Sequence, residues 1–298
     1  MEYALQAKNL HIEYDDFSLQ NVSLCIPLGS IVGLIGENGA GKSTIIRMLL
    51  GAAGIYGTGE VIFQGRNLLS PGNERLKNQI GVVFDDNCFS GYLNATSLDR
   101  IFNDIYSGWS SSTFFSWLQR FSLSSKKPIK DYSRGMRMKL SFAVALSHGS
   151  TLLLLDEPTA GLDPVARAEV LDILQEFMLD DAHAILFSSH ITADLEKIAD
   201  YITFLHDGRI VFSEETNTLL NTHALCKGMG NQFDMLDASC RLIGLECGMF
   251  GTTALCTNVD RMRNLHPEFI YEPASLEQIM LHYIRQLDAG TRTERSVS

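Results

Sequence analysis

Residues 36–43 read Gly36-Glu37-Asn38-Gly39-Ala40-Gly41-Lys42-Ser43, and no other stretch leaves the chain fewer ways to fold around it. Glycines at this density let the backbone curl so that its N–H groups point inward. The apolar run 31–35 enters the loop and a helical pattern from Thr44 to Leu50 leaves it. Strand, glycine-rich loop and helix in that order make a phosphate cradle, in which amides close around phosphate oxygens and the helix dipole adds positive charge. Gly36 through Thr44 are then nucleotide-binding positions. Lys42 is expected to neutralise β- and γ-phosphate charge during catalysis, and Ser43 to ligate Mg²⁺.

A second signal lies downstream. The apolar run 152–155 ends in Asp156 and Glu157, and active sites of open α/β sheets sit at that end of their strands. Two acids after a strand are often only a polar turn, but with a phosphate cradle upstream the pair gains a purpose. Asp156 suits a hold on Mg²⁺, directly or through water, and Glu157 suits orienting and deprotonating an attacking water.

The rest of the chain fits an α/β fold. Residues 2–14 and 17–26 alternate apolar and polar on either side of Asp15 and Asp16, which predicts an antiparallel pair. Short apolar runs at 80–84, 151–155 and 184–187 predict parallel strands. From Tyr92 to Phe121 the apolar residues recur at helical spacing with no strand between them, so an inserted helical lobe is expected. Residues 201–205 and 209–212 predict a hairpin turned on Asp207-Gly208. The core domain is placed at 1–215. For 216–298 the pattern weakens to clustered glycines, most of the cysteines and one clear helix at 275–287, which reads as a small C-terminal accessory region with a polar, frayed end at 290–298.

Composition narrows the partners. With 24 basic and 35 acidic residues the 298-residue chain carries a formal charge of -11, which argues against nucleic acid as a partner. The six cysteines form no Cys-x-x-Cys pair, so they read as thiols in a reducing compartment. Residues 1–20 lack the pattern of a secretion signal, and the apolar stretch 242–256, interrupted by Glu246, is too short for a membrane span.

Five motifs in order carry a resemblance: the loop 36–43, Tyr132-Ser133-Arg134-Gly135-Met136, Asp156-Glu157, Gly161-Leu162-Asp163-Pro164 and Ser189-His190. Over about residues 2–215 the chain resembles the ABC ATPases, and its variant signature at 132–136 is similar to that of ABC-2 type exporters. The resemblance implies an ABC-type P-loop NTPase fold: an N-terminal antiparallel sheet, a helical lobe extending over about 92–148 and here a C-terminal appendage. It implies that Ser133 and Gly135 contact the γ-phosphate of ATP held by a second ATP-binding subunit, identical or closely related. Ser133 also suits an N-cap, whatever else it does. Asp163 is implied to couple the two ATP sites, His190 to reach the γ-phosphate, and Tyr14 to stack on adenine, with Tyr3 and Phe17 as competitors. The implied partner is an integral membrane permease on separate chains, which places this subunit at the cytoplasmic face of the membrane.

Where the family has Gln after the strand at 80–84, this chain has Asp85-Asp86-Asn87; a carboxylate can still ligate Mg²⁺, so Asp85 is taken as the equivalent. The tail 273–280 is similar to the terminal helix of peptide and antibiotic exporter cassettes, which points to export of such amphipathic compounds. Two alternatives stand beside this reading: a cytosolic ABC ATPase without a permease, and a regulatory cassette with little turnover. The ring least committed to a core is expected to be Trp109, flanked by serines and a glycine at a helix break.

Overall fold

The computed structural model describes residues 2–52, 57–85, 89–236, 240, 242–248 and 251–295, with 290–295 as backbone. Two compact units divide the chain, Met1–Ser213 and Glu214–Ser298.

In the first unit, Tyr3–Glu13 (β1) and Ser18–Pro27 (β2) pair antiparallel, from Tyr3 opposite Pro27 to Glu13 opposite Ser18. Ile31–Ile35 (β3) feeds the loop that opens Lys42–Leu49 (α1). Thr58–Phe63 (β4) then pairs with β1, and the short Arg66–Asn67 (β5) completes a sheet ordered β2-β1-β4-β5. Alternation in β1 and β2, offset by register shifts, buries Leu5, Ala7, Leu10, Leu19, Val22, Leu24 and Ile26 while Lys8, Asn21, Ser23 and Cys25 stay exposed.

After Ile80–Val83 (β6) come Ala95–Ile105 (α2), Ser111–Arg120 (α3) and Arg134–Ala145 (α4), with no strand between them among the described residues. Leu152–Asp156 (β7), Pro164–Phe177 (α5), Ala184–Ser189 (β8), Thr192–Ile198 (α6), Tyr201–His206 (β9) and Arg209–Glu215 (β10) complete a second sheet, ordered β10-β9-β3-β8-β7-β6. Within it β3 lies parallel to both β8 and β9, and β7 parallel to both β6 and β8. Leu152, Leu153, Leu154 and Leu155 are all fully buried. Strands covered on both faces need such unbroken apolar runs, and each buried leucine contributes roughly 1.5–3 kcal/mol. The β9–β10 turn has φ of 44° at Asp207 and 71° at Gly208, the left-handed pair that a two-residue hairpin requires.

The lobe's aromatic rings pack mostly on one another. Trp109 is no exception: its ring lies 5.4 Å from Phe102 and 5.1 Å from Phe114, and its Nε1 donates to Asp99 at 2.9 Å. The expectation that it stands free is therefore corrected. Tyr92, 88% exposed, is turned to solvent, with the Lys130 amine 5.7 Å from its centre.

The second unit holds more order than its sequence pattern suggests. Thr216–Thr222 (α7), Ala224–Gly228 (β11), Gly230–Phe233 (α8), Leu242–Gly248 (β12), Gly251–Cys256 (β13), Val259–Leu265 (α9), Ile270–Pro273 (β14) and Leu276–Arg295 (α10) form an antiparallel sheet ordered β12-β13-β11-β14 with helices. The last helix continues to Arg295, past the point where fraying was expected. Cys226 and Cys256 are buried in this unit's core with Phe233, Met262 and Phe269, and burial pushes the Cys226 thiol up to about 12. Among the described residues no group of His, Cys, Asp and Glu could hold a metal ion, and no helix is long and apolar enough to cross a membrane.

Candidate active site

The loop between β3 and α1 is shaped by its glycines. Gly41 has a φ of 110°, and a Cβ there would stand 2.6 Å from the Phe17 ring, so any other residue would meet both backbone strain and a clash. The loop's outer arc, Glu37 to Gly39, is exposed, while Ala40, Gly41 and Lys42 are buried and Ser43 and Thr44 half-buried. Lys42, only 6% exposed, folds back over the loop. Its Nζ donates to the Gly36 carbonyl at 2.8 Å and the Glu37 carbonyl at 3.1 Å.

Three side chains from three segments meet at this point. Lys42 Nζ is 3.3 Å from Glu157 Oε1, and the other Glu157 oxygen accepts from His190 Nδ1 at 2.7 Å. The His190 backbone N–H donates to the same oxygen at 3.3 Å. Parallel pairing of β3, β8 and β7 brings the loop, His190 and Glu157 to one edge of the sheet, the carboxyl ends of the strands. Glu157 sits there with a positive φ of 51°, a costly conformation for a side-chain-bearing residue. Its N–H is held by the Ser188 carbonyl at 3.1 Å and hydroxyl at 3.2 Å. Asp156, 4% exposed, accepts from the same Ser188 hydroxyl at 2.8 Å.

The remaining expected residues are held by other partners. Ser133 caps α4, its Oγ accepting from the Met136 N–H at 3.2 Å, and stands exposed with Gly135 half-buried behind it. Asp163 caps α5, accepting from Val165 and Ala166 at 3.0 Å each. Those bonds, from Ala166 first, hold its carboxyl below the usual range. Pro164 takes the first helical position as expected. Of the competing aromatics, Phe17 is committed to packing over Gly41, while Tyr14, on the tight turn where its N–H donates to the Phe17 carbonyl, is 45% exposed. Asp85 is engaged by Arg134, whose Nη2 donates to Asp85 Oδ1; Asp86 and Asn87 fall outside the described residues.

Two residues that sequence reasoning passed over belong to this geometry. Ser188 serves both Asp156 and Glu157, and a polar residue ending an otherwise apolar strand beside the acids was the available signal. His206 places Nδ1 3.4 Å from Glu37 on the loop, a contact no local pattern announces.

Comparison with known proteins decides what this arrangement belongs to. A family model described as ABC transporter matches residues 19–160. The lantibiotic transport ATP-binding protein SrtF of Streptococcus pyogenes is 35% identical over 214 residues, which span 71% of this chain and 90% of that protein. The chain belongs to the ABC transporter family. The bacitracin transport ATP-binding protein BcrA of Enterococcus faecalis is 34% identical over 220 residues, 73% of this chain and 70% of its own length. A solved ATP-binding subunit of an ABC transporter matches at a TM-score of 0.65 and 26% identity, covering 73% of this chain and 92% of that one. This ABC protein is thus an ATP-binding, ATP-hydrolysing subunit of the transporter type, with lantibiotic and bacitracin transport ATP-binding proteins among its relatives.

Proposed function

We propose that Met1–Ser213 is the nucleotide-binding domain of an exporter and that it hydrolyses MgATP in a sandwich of two such subunits at the cytoplasmic face of the membrane. The observation that carries the chemistry is the meeting of Lys42, Glu157 and His190 at the mouth of the glycine loop. Loop amides from Gly36 to Thr44 receive the phosphates, and Tyr14 offers an exposed ring for the adenine. Phosphate oxygens draw the Lys42 amine away from Glu157. The freed carboxylate takes a proton from water as the water oxygen bonds to the γ-phosphorus and the bond to the β-bridging oxygen breaks. His190, positioned by Glu157, bonds the γ-phosphate.

The Ser43 hydroxyl and Asp156 carboxylate are hard oxygen donors of the kind Mg²⁺ takes and would hold the ion, which would supply charge neutralisation to the phosphates. Ser188 holds Asp156 for that role. Asp85, with one oxygen engaged by Arg134, is the weaker candidate for it.

Ser133 stands exposed at the start of α4, where its hydroxyl takes the Met136 N–H and the N–H groups of Arg134 and Gly135 have no intrahelical acceptor, which suits the γ-phosphate of a partner's ATP. Asp163 would carry the state of one site to the other. Kinship with SrtF and BcrA points to a separate membrane permease and to amphipathic peptide antibiotics as cargo. Residues 216–298 form an accessory domain.

Glu157→Gln tests this. It should bind MgATP, lose hydrolysis by at least about a hundredfold, and run as a dimer on a sizing column only with ATP. Wild-type turnover would remove Glu157 from the chemistry, and a monomer in ATP would count against the sandwich. Cargo is tested by expressing the chain with its neighbouring permease in a sensitive host and measuring resistance to lantibiotics and bacitracin.

A further inference from the structure

Two charged side chains near the active site contact each other and nothing in the mechanism above uses the contact. Arg134, at the start of α4, donates from Nη2 to Asp85 Oδ1 in the segment after β6. Its guanidinium also covers the loop that leads to Asp163, since a Cβ on Gly161 would stand 2.8 Å from Arg134 Nη1. One side chain therefore joins three segments distant in sequence. Both partners are about half exposed, at 52% and 42%, so water screens the pair and its net attraction is small enough for a phosphate to displace it.

Arg134 lies between Ser133 and Gly135, the residues that the proposed sandwich turns toward the partner's ATP. We propose that Arg134 is a further ATP-binding residue supplied across the dimer, held by Asp85 while the subunits are apart and passed to the γ-phosphate as they close. The proposal rests on the sandwich reading. A guanidinium is a planar fork of N–H donors that matches phosphate oxygens two at a time, and a triphosphate offers it more charge than a lone carboxylate does. Closing two subunits also removes water from between them, which strengthens the new contact. Asp85 is then a competitor of ATP for one cation, and it sets how much ATP closes the dimer. A ligand shifts an equilibrium only by its differential affinity for the two states, and Arg134 is where that difference arises.

The experiment measures, in a Glu157→Gln background, the ATP concentration at half-dimerisation by light scattering, with binding of a fluorescent ADP to the separated subunits as a second readout. Arg134→Leu should raise the ATP midpoint about tenfold, the size of one lost charge-assisted contact, and Arg134→Lys should recover part of it. Asp85→Asn should lower the midpoint about threefold, and less at high salt. In the double variant Asp85→Asn with Arg134→Leu, the Asp85 substitution should add nothing. ADP affinity should stay level throughout, since ADP carries no γ-phosphate. If no dimer forms with ATP, both readings fall. If the dimer forms at one midpoint in all variants, or Arg134→Leu loses ADP binding as well, the inference about Arg134 alone is overturned.

Discussion

Ser188→Ala removes one oxygen from the floor of the active site, and the structure says what it leaves behind. The hydroxyl is fully buried, donates to Asp156 Oδ1 at 2.8 Å and accepts the Glu157 N–H at 3.2 Å. Glu157 keeps the Ser188 carbonyl at 3.1 Å, so its loss is small. Asp156, 4% exposed, loses a donor with little water near enough to replace it. A hydrogen bond to a charged group contributes about 1.5–3 kcal/mol, so the variant should be less stable by about 2 kcal/mol. For a domain of this size that corresponds to a Tm lower by roughly 4–8 °C. Urea unfolding should show a lower midpoint at an unchanged slope. Ser189→Ala, which removes neutral bonds alone, from the Ile191 N–H at 2.9 Å and to the Ile191 carbonyl at 3.5 Å, should cost no more than about 1 kcal/mol. Turnover should also fall in Ser188→Ala, by about tenfold, because Asp156 loses the bond that orients it. A stability loss below about 0.5 kcal/mol with wild-type turnover would refute the assignment of Ser188 as the residue that holds Asp156.

Lys42→Ala should abolish hydrolysis and weaken ATP binding strongly, read by steady-state ATPase and nucleotide titration, because the loop loses its only cation facing Glu157 among the described residues. Mixing Lys42→Ala with Ser133→Arg subunits should restore part of the activity absent from either alone, since one site of each mixed dimer keeps both halves; no recovery would count against sites shared between chains. Burial lowers the pKa of His148, which stacks on Tyr106 at 4.2 Å and bonds the Asn78 carbonyl through Nδ1 at 2.9 Å. The unfolded chain, with a value of about 6.5, binds the proton first as pH falls. This contribution to stability is therefore complete above about pH 6.5 and is lost below it, which urea midpoints between pH 5 and 8 will show and His148→Gln should flatten. Trp109→Ala should destabilise the helical lobe by about 2 kcal/mol through lost ring packing, whereas Tyr92→Ala should leave stability within about 0.5 kcal/mol of wild type and reduce co-purification with the permease.

The chemistry of this protein was written in local order. A phosphate loop must be a contiguous strand, loop and helix, so Gly36 to Ser43 announce it, and the strand before Asp156-Glu157 announces itself by an apolar run that only a doubly covered sheet needs. The hairpin on Asp207-Gly208 was equally local, since two consecutive left-handed residues demand that chemistry. The C-terminal sheet was not legible, because β11, β12, β13 and β14 are short, interrupted by glycines, and acquire their partners only on folding. Nor was the fate of single side chains. Trp109 looked least committed to a core and packs against rings from α2 and α3; that Arg134, 49 residues away, engages Asp85 was not in the sequence either. Residue type and spacing determine which backbone a segment can form. Which donor meets which acceptor is decided by parallel strands that bring Lys42, Glu157, Ser188 and His190 to one sheet edge, and no stretch of sequence contains that distance.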